Sequence, residues 1–351
     1  MAQLGGRMWL KNCWYVIAWD HEIPAEGFLA RTVIGEPLLV YRTSGGEYVV
    51  LEDRCCHRHA PLSLGRREGD CIRCGYHGLR FDAQGACVEV PGLDRAPANL
   101  KVRTYPVVEH HRWVFVWMGD PARADRALLP DNFSNDHPEW HTRPGYLHYE
   151  TPWLLICDNL LDFSHLSYVH EKTLGGSLLI AQTRPDIERI DGPGPRGLRI
   201  SRRMSGLPAP SYYHRIRPLP ETINRWFIYD FLFPATLLMN SGGRPIGDAE
   251  GDNRNAVLLH SCQTLTPETE TSTHYFFQQS YRGEARDEAV VDGIHRNVIL
   301  AFNEDRDMIT AQYRNTQRDP ERPMAPLWMD SALMQFRRML EEAVAAENAS
   351  A

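Results

Sequence analysis

The sequence is short of several features that would place it at once. Eight cysteines in 351 residues are too sparse for a disulfide-stapled scaffold. Positive charge is not in excess: 38 Lys and Arg against 45 Asp and Glu leave a formal net charge of −7. That balance argues against a nucleic-acid footprint and against a polybasic membrane anchor. No apolar run approaches the ~18 residues a membrane span needs. The opening stretch, Met1 to Trp14, carries charges but no apolar core or small-residue cleavage site. No secretory signal is therefore read, and the cytoplasm is the expected location, with neither nucleic acid nor membrane as partner. Internal repeats and low-complexity tracts are absent too. The rest is ordinary for a globular chain, at 43% hydrophobic and 24% charged residues, and the length predicts about two domains.

The residues that are present are unevenly placed. From about Trp14 to Gly119 the chain reads as short β segments, among them Pro37–Arg42, Tyr48–Glu52, Gly78–Phe81, Cys87–Val90 and Arg112–Met118. Turns such as Ser44-Gly45-Gly46 and Ala83-Gln84-Gly85 separate them, which predicts an all-β domain. Gly119 to Pro152, rich in Pro, Asp, Asn and Arg, reads as a connection. Trp153 to His170 reads as a largely buried helix, apolar on most sides. Residues 190–280 return to strands, for example Arg225–Phe233, Ala256–Gln263 and Thr273–Gln279. A long amphipathic helix follows over about Asp292 to Arg318, and a last one from about Ser331 to Ala346. The second part is thus α+β, a sheet covered by helices.

Cys55, Cys56, Cys71 and Cys74 crowd together beside His57, His59 and His77. In a reducing compartment such clustering points to metal. The remaining thiols, Cys13, Cys87, Cys157 and Cys262, read as structural. Cys55-x-His57 with Cys74-x-x-His77 supplies two thiolates and two imidazoles from two loops, the set a Rieske centre needs. Gly75 and Gly78 let the backbone come close to the sulfurs. The same residues admit a rival. Cys56-x-x-His59 and Cys71-x-x-Cys74 form a Cys₃His set with zinc-ribbon-like spacing. Spacing alone leaves both open.

A second constellation lies in Asp158-Asn159-Leu160-Leu161-Asp162-Phe163-Ser164-His165 and then His170. Two histidines and a carboxylate with open positions define the facial triad of non-haem iron oxygenases. On a helix, Asp162 and His165 share a face. His170 lies roughly 140° further round, so it joins the same metal only if the helix distorts or ends before it. The alternative is a buried helix with two satisfied histidines. For the carboxylate, Ile294, Val298, Phe302 and Ile309 form one stripe of the late helix. Asp305 falls within that stripe, whereas Glu304 and Asp307 point away. An acid on an apolar face must be paired or bound to a metal. Asp305 is therefore either the third ligand or a marginal acid paired with an arginine.

The residues flanking the two cysteine–histidine pairs, Arg58-x-Ala60-Pro61-Leu62 and Tyr76-His77-Gly78, resemble those of Rieske non-haem iron oxygenases, in their oxygenase (alpha) components. So do Asn12-Cys13-Trp14-Tyr15-Val16, Trp117-Met118-Gly119-Asp120-Pro121, Thr266-Pro267-Glu268-Thr269-Glu270 and Glu304-Asp305-Arg306. The subgroup with vanillate O-demethylase, dicamba monooxygenase and toluenesulfonate methyl-monooxygenase is the nearest in pattern, and the paired Cys55-Cys56 looks most like the last.

The resemblance implies an N-terminal all-β Rieske [2Fe-2S] domain over 1–130 and a helix-grip catalytic domain over 131–351. It implies that Cys55, His57, Cys74 and His77 hold the cluster and that His165, His170 and Asp305 hold the mononuclear Fe(II). Cys56, His59 and Cys71 then become packing residues. It further implies a head-to-tail homotrimer in which electrons pass from one subunit's cluster to its neighbour's iron. Asp162 would be the carboxylate linking His77 to His165, with Asn159 close to the iron. Asn240 and Gln263 match substrate-contacting positions, Gln263 standing in place of a histidine. A reductase or ferredoxin would deliver the electrons, so NAD(P)H acts only indirectly, and O₂ is the cosubstrate. The implied reaction is hydroxylation of an alkyl group on a small aromatic substrate, giving O- or N-dealkylation. The alternative is benzylic methyl hydroxylation of an aromatic acid or sulfonate. Outside the class stand a Rieske-type electron carrier and a zinc-stabilised binding module.

Overall fold

The computed structural model describes residues 8–349. They form two compact units: Lys11–Arg126 together with Thr266–Thr269, and a larger one built on Ala127–Leu265 and the chain from Glu270 onward.

The smaller unit is all-β. Its strands are β1 (Trp14–Trp19), β2 (Leu29–Val33), β3 (Glu36–Arg42), β4 (Tyr48–Glu52), β5 (Arg66–Glu68), β6 (Cys71–Arg73), β7 (Arg80–Phe81), β8 (Cys87–Glu89), β9 (Thr104–Tyr105), β10 (Val107–His110) and β11 (Trp113–Trp117). They make three antiparallel sheets, in the orders β1-β11-β10, β2-β3-β4-β9 and β5-β6-β7-β8. Every residue of β1 and β11 is buried, which suits their unbroken apolar text. A separate core joins Leu39, Tyr41 and Leu51 to Leu62, Ile72, Leu79 and Phe81, and the Cys55 and Cys74 side chains belong to it. The expected strand Gly78–Phe81 shortens to two residues because Gly78 takes φ +76°, a left-handed loop position.

The larger unit follows β12 (Trp140–His141), β13 (Gly145–Tyr149), α1 (Trp153–Leu161), α2 (Leu178–Gln182), β14 (Asp186–Ile190), β15 (Gly197–Pro208), α3 (Tyr213–Ile216), β16 (Thr222–Leu232), β17 (Thr236–Pro245), β18 (Val257–Pro267), β19 (Thr273–Arg282), α4 (Glu288–Arg318) and α5 (Ser331–Ala349). Its sheet runs β12-β19-β18-β17-β16-β15-β14, with β13 also paired to β19. Alternation sets the inner face: on β16, Ile223, Arg225, Phe227, Tyr229 and Phe231 are all buried. Helices cover that face. The Tyr229 hydroxyl donates to the Leu161 carbonyl, Phe231 meets Phe336 edge-on at 4.8 Å, and Tyr275 stacks on Phe302 at 5.1 Å. This is the open sheet gripped by helices that the resemblance implied. No helix among the described residues is long and apolar enough to cross a membrane.

Three expectations need correction. The stretch 119–152 is not only a connection, since β13 pairs five residues with β19. The long helix begins four residues earlier than expected, at Glu288, because the Asp287 carboxylate accepts from the amides of Ala289 and Val290 and caps it there. The expected helix over Trp153–His170 stops at Leu161. Asp162 is extended (φ −127°, ψ 100°) and caps a separate 3₁₀ turn, Phe163–Ser167, by accepting from the Ser164 amide at 2.9 Å and its hydroxyl at 2.6 Å.

Candidate metal centres

The cysteine–histidine motifs lie on two loops, one between β4 and β5 and one between β6 and β7. The loops repeat one hydrogen-bond pattern. The Cys55 amide donates to Ala60 O at 2.8 Å and the His59 amide to Cys55 O at 2.9 Å. The Cys74 amide donates to Leu79 O at 2.8 Å and the Gly78 amide to Cys74 O at 3.1 Å. His59 (φ +59°) and Gly78 (φ +76°) occupy the same left-handed position of each loop. The loops touch where Cβ atoms would not fit: one on Gly75 would lie 2.5 Å from Leu64 O, and one on Gly65 2.0 Å from Arg73 O.

This packing buries both thiols, Cys55 at 1% and Cys74 at 2% exposure. Burial, and then the neighbouring Cys74 thiol, pushes Cys55 up to about 11. At the mouth the His57 and His77 rings face each other edge-on, centroids 4.6 Å apart. Desolvation, helped by His57 and Arg58, lowers the His77 pKa. Two buried thiols beneath two outward imidazoles are the donor arrangement of a two-iron cluster with a Cys₂ iron and a His₂ iron. The zinc-ribbon reading is not met. A tetrahedral zinc needs its donors within about 4 Å of one another. Among the described residues one set of three or more such groups converges within 4.8 Å, and it is not this one.

That set is His165, His170 and Asp305. The break at Leu161 answers the angular problem: His165 sits on the 3₁₀ turn and His170 beyond it, so no single helical face has to carry both. Each imidazole is held through Nδ1. His165 Nδ1 lies 2.5 Å from Asp162 O, and His170 Nδ1 lies 2.8 Å from Glu304 Oε2. Both Nε2 atoms then face Asp305, at 3.5 Å and 3.1 Å. Asp305 reaches them from the apolar stripe of α4, where it is 5% exposed among Val298, Ala301, Phe302 and Ile309. Asn159 Nδ2 donates to its Oδ1 at 3.1 Å.

The two histidines are shifted in opposite directions. Burial lowers His165, with His170 adding to it against Asp305. Burial opposes the charge on His170 as well, but hydrogen bonds and charges from Asp305 and Glu304 outweigh it and raise its pKa. Two nitrogens and a carboxylate with their remaining atoms already engaged could hold a metal of the facial-triad type.

Glu304 does not point away, as the stripe suggested. It takes His170 Nδ1 and the Thr173 hydroxyl, both at 2.8 Å. Its adjacency to Asp305 was the only signal in the sequence, since the next helical residue lies about 100° round. Arg202 was also unforeseen: it is buried on β15 with Nη2 3.4 Å from Asp162 Oδ1.

Beside the triad a cavity is lined by Leu160, Phe163, Phe227, Met239, Ser241 and Gln263 among others. Gln263 is thus brought to the triad, although its Oε1 accepts from Tyr275 and its Nε2 donates to Ser261. Asn240 is not. Its neighbours Met239 and Ser241 face the cavity, so a period-two strand turns Asn240 to the other side, where it accepts from Trp226 Nε1 at 2.7 Å. The expected substrate contact at Asn240 is therefore corrected.

The fold and the triad define a non-haem iron oxygenase, and sequence comparison gives the family. Residues 13–106 match the Rieske [2Fe-2S] domain and residues 149–346 the vanillate O-demethylase oxygenase C-terminal domain. The chain belongs to the Rieske non-haem iron oxygenases, as an oxygenase (alpha) component with monooxygenase character, carrying a [2Fe-2S] cluster and a mononuclear iron site. It is 45% identical to the toluene-4-sulfonate monooxygenase system iron-sulfur subunit of Comamonas testosteroni, over 97% of this chain and 99% of that one. A vanillate O-demethylase oxygenase subunit from a Pseudomonas species is 33% identical over 91% and 97%. Among solved structures, dicamba monooxygenase bound to 3,6-dichlorosalicylic acid superposes with a TM-score of 0.87 at 30% identity, covering 97% of this chain and 99% of that one.

Proposed function

We propose that this chain is the terminal oxygenase of a multicomponent system that hydroxylates an alkyl group of a small aromatic substrate. The convergence of His165 Nε2, His170 Nε2 and Asp305 beside an apolar cavity carries the reading. In it Cys55, His57, Cys74 and His77 hold the cluster, and His165, His170 and Asp305 hold the iron. Residues 1–130 serve as the cluster domain and 131–351 as the catalytic domain. Bound there, the two groups supply electron transfer and O₂ activation.

The chain's own residues do the rest. Cys55 and Cys74 keep the cluster sulfurs dry. Asp162 fixes the His165 ring through its carbonyl, while Glu304 fixes His170. Leu160, Phe163 and Phe227 hold an arene and exclude water. Asn159 orients Asp305. Electrons come from a reductase or ferredoxin, with NAD(P)H used only there. The chain works in the cytoplasm as a homotrimer, in which the Asp162 carboxylate meets His77 of the partner subunit.

Hydroxylation of carbon next to O or N leads to dealkylation, and this is the leading chemistry. The 45% identity with a toluene-4-sulfonate monooxygenase subunit favours a second, hydroxylation of a methyl group on the ring of an aromatic acid or sulfonate. The test is turnover of iron-loaded protein with its electron donor on aryl methyl ethers, N-alkyl anilides and methylarenes. Aldehyde release with the dealkylated arene marks the first chemistry and benzylic alcohol the second. Loaded protein that consumes electrons and oxidises none of the panel would overturn the reading. Asp162→Asn should retain both metals, by iron analysis, while turnover falls at least ~10-fold. Wild-type turnover in that variant would end the role given to Asp162.

A further inference from the structure

We propose that Arg225 is the anion-binding residue of the oxygenation cavity and that the substrate is a small arene bearing one carboxylate or sulfonate. This rests on the cavity being the site of oxygenation. Arg225 lines that cavity from the inward face of β16, beside Phe227. It is 2% exposed. Nη1 donates to Gly175 O at 2.7 Å and Nη2 to Leu174 O at 3.4 Å, and the buried Nε–H has no partner. Both acceptors are neutral carbonyls.

The rings of Tyr213 and Phe227 flank the guanidinium at 5.6 Å and 5.3 Å. They leave its charge in place without a counter-charge, and no carboxylate among the described residues pairs with it. The other charged group on the cavity wall, Asp305, is spent on the two histidines. A permanent cation taken out of water and left unpaired is costly. Its place on a cavity wall is explained if a ligand brings the negative charge, and a guanidinium fork suits an oxyanion. Gln263 is no substitute, because Tyr275 and Ser261 already take both of its polar atoms. The apolar wall of Leu160, Phe163, Leu166 and Phe302 receives the ring.

The competing role is purely structural: Arg225 as a tether for the loop after His170. Equilibrium binding to the iron-loaded protein separates the two. The ligands are p-toluenesulfonate against p-tolyl methyl sulfone, and 4-methylbenzoate against 4-methylbenzamide. The charged member of at least one pair should bind about 30-fold more tightly to the wild type, and which pair does so tells sulfonate from carboxylate. Arg225→Gln should abolish that preference while neutral ligands stay within about threefold. Equal loss of charged and neutral ligands, or an unchanged preference, overturns the proposal. Should the Gln variant not fold, Arg225→Lys keeps the charge but loses the fork. The preference should then fall about fivefold or more, and an unchanged preference again overturns the proposal. Wild type that binds both members of each pair equally removes the role of Arg225 and leaves the oxygenase reading standing. Binding of neither member of either pair overturns the proposal, while the oxygenase reading is decided by the turnover panel.

Discussion

In the two cysteine–histidine loops each proposed ligand is held by its immediate neighbours: Cys55 and Cys74 sit in loops of six residues closed by their own backbone hydrogen bonds. At the mononuclear site the groups that meet come from far apart, His170 and Asp305 being separated by 135 residues. The first centre is thus specified by local turn chemistry and a pair of glycines. The second exists only when α4 lies against the segment after α1. A ligand set built from loops leaves a readable spacing in the text, whereas one built by packing leaves only an anomaly, here an acid on an apolar stripe.

The largest expected effect separates the two centres outright. His165→Ala should lower iron from about three to about two atoms per chain while the visible absorbance of the cluster persists. Product formation should fall to background. Unchanged iron content would remove His165 from the ligand set. Next in size is the support of His170. Glu304→Gln, which removes the charge facing Nδ1, should weaken mononuclear iron by about 10–100-fold. Competition with a chelator measures this, and the cluster absorbance serves as the internal control.

The regions should also differ in their response to acid. His260 is buried in the larger unit, with Nδ1 2.7 Å from the Ser134 hydroxyl, and burial lowers its pKa to about 4. Well above pH ~6.5 neither the folded nor the unfolded chain protonates it and its contribution is constant. As pH falls toward 4 the unfolded chain takes up a proton that the folded one refuses. Stability of this unit should then drop, by up to ~3 kcal/mol. Urea midpoints between pH 7 and 4 measure the drop, and His260→Gln should flatten the slope. A variant with the wild-type slope would assign the acid response to other groups.

The smallest effect is the sharpest on the cluster. His59→Gly replaces a strained left-handed residue with the type found at the matching position of the other loop. Stability should change by no more than ~1 kcal/mol, upward if at all, with the cluster spectrum intact. Loss of metal on this substitution would restore the zinc reading, in which His59 is a ligand.

Much of this was legible in the chain itself. The Cys-x-His and Cys-x-x-His pairs, the all-β text before residue 119 and the α4 stripe with Asp305 are local patterns, and periodicity displays them. The expected helix through His170 breaks because Asp162 becomes extended, which nothing local announces; its carboxylate trades helix continuation for the cap of a new turn. Glu304 points away from the apolar stripe on a helical wheel, which knows only its own axis and not that His170 approaches from the side. Asn240 is expected at the substrate from resemblance alone, whereas the period-two strand that turns Met239 and Ser241 to the cavity turns it away.

The sequence alone determined the donor types, their spacing in the cluster loops and the identity of the buried acid, because burial and ligation each demand particular side chains at particular periods. Only the tertiary structure decided which nitrogen of each histidine is free, which acid supports which ring, and that an unpaired arginine shares the cavity with the triad. Those outcomes depend on elements brought together across more than a hundred residues, and such encounters leave no period in the chain.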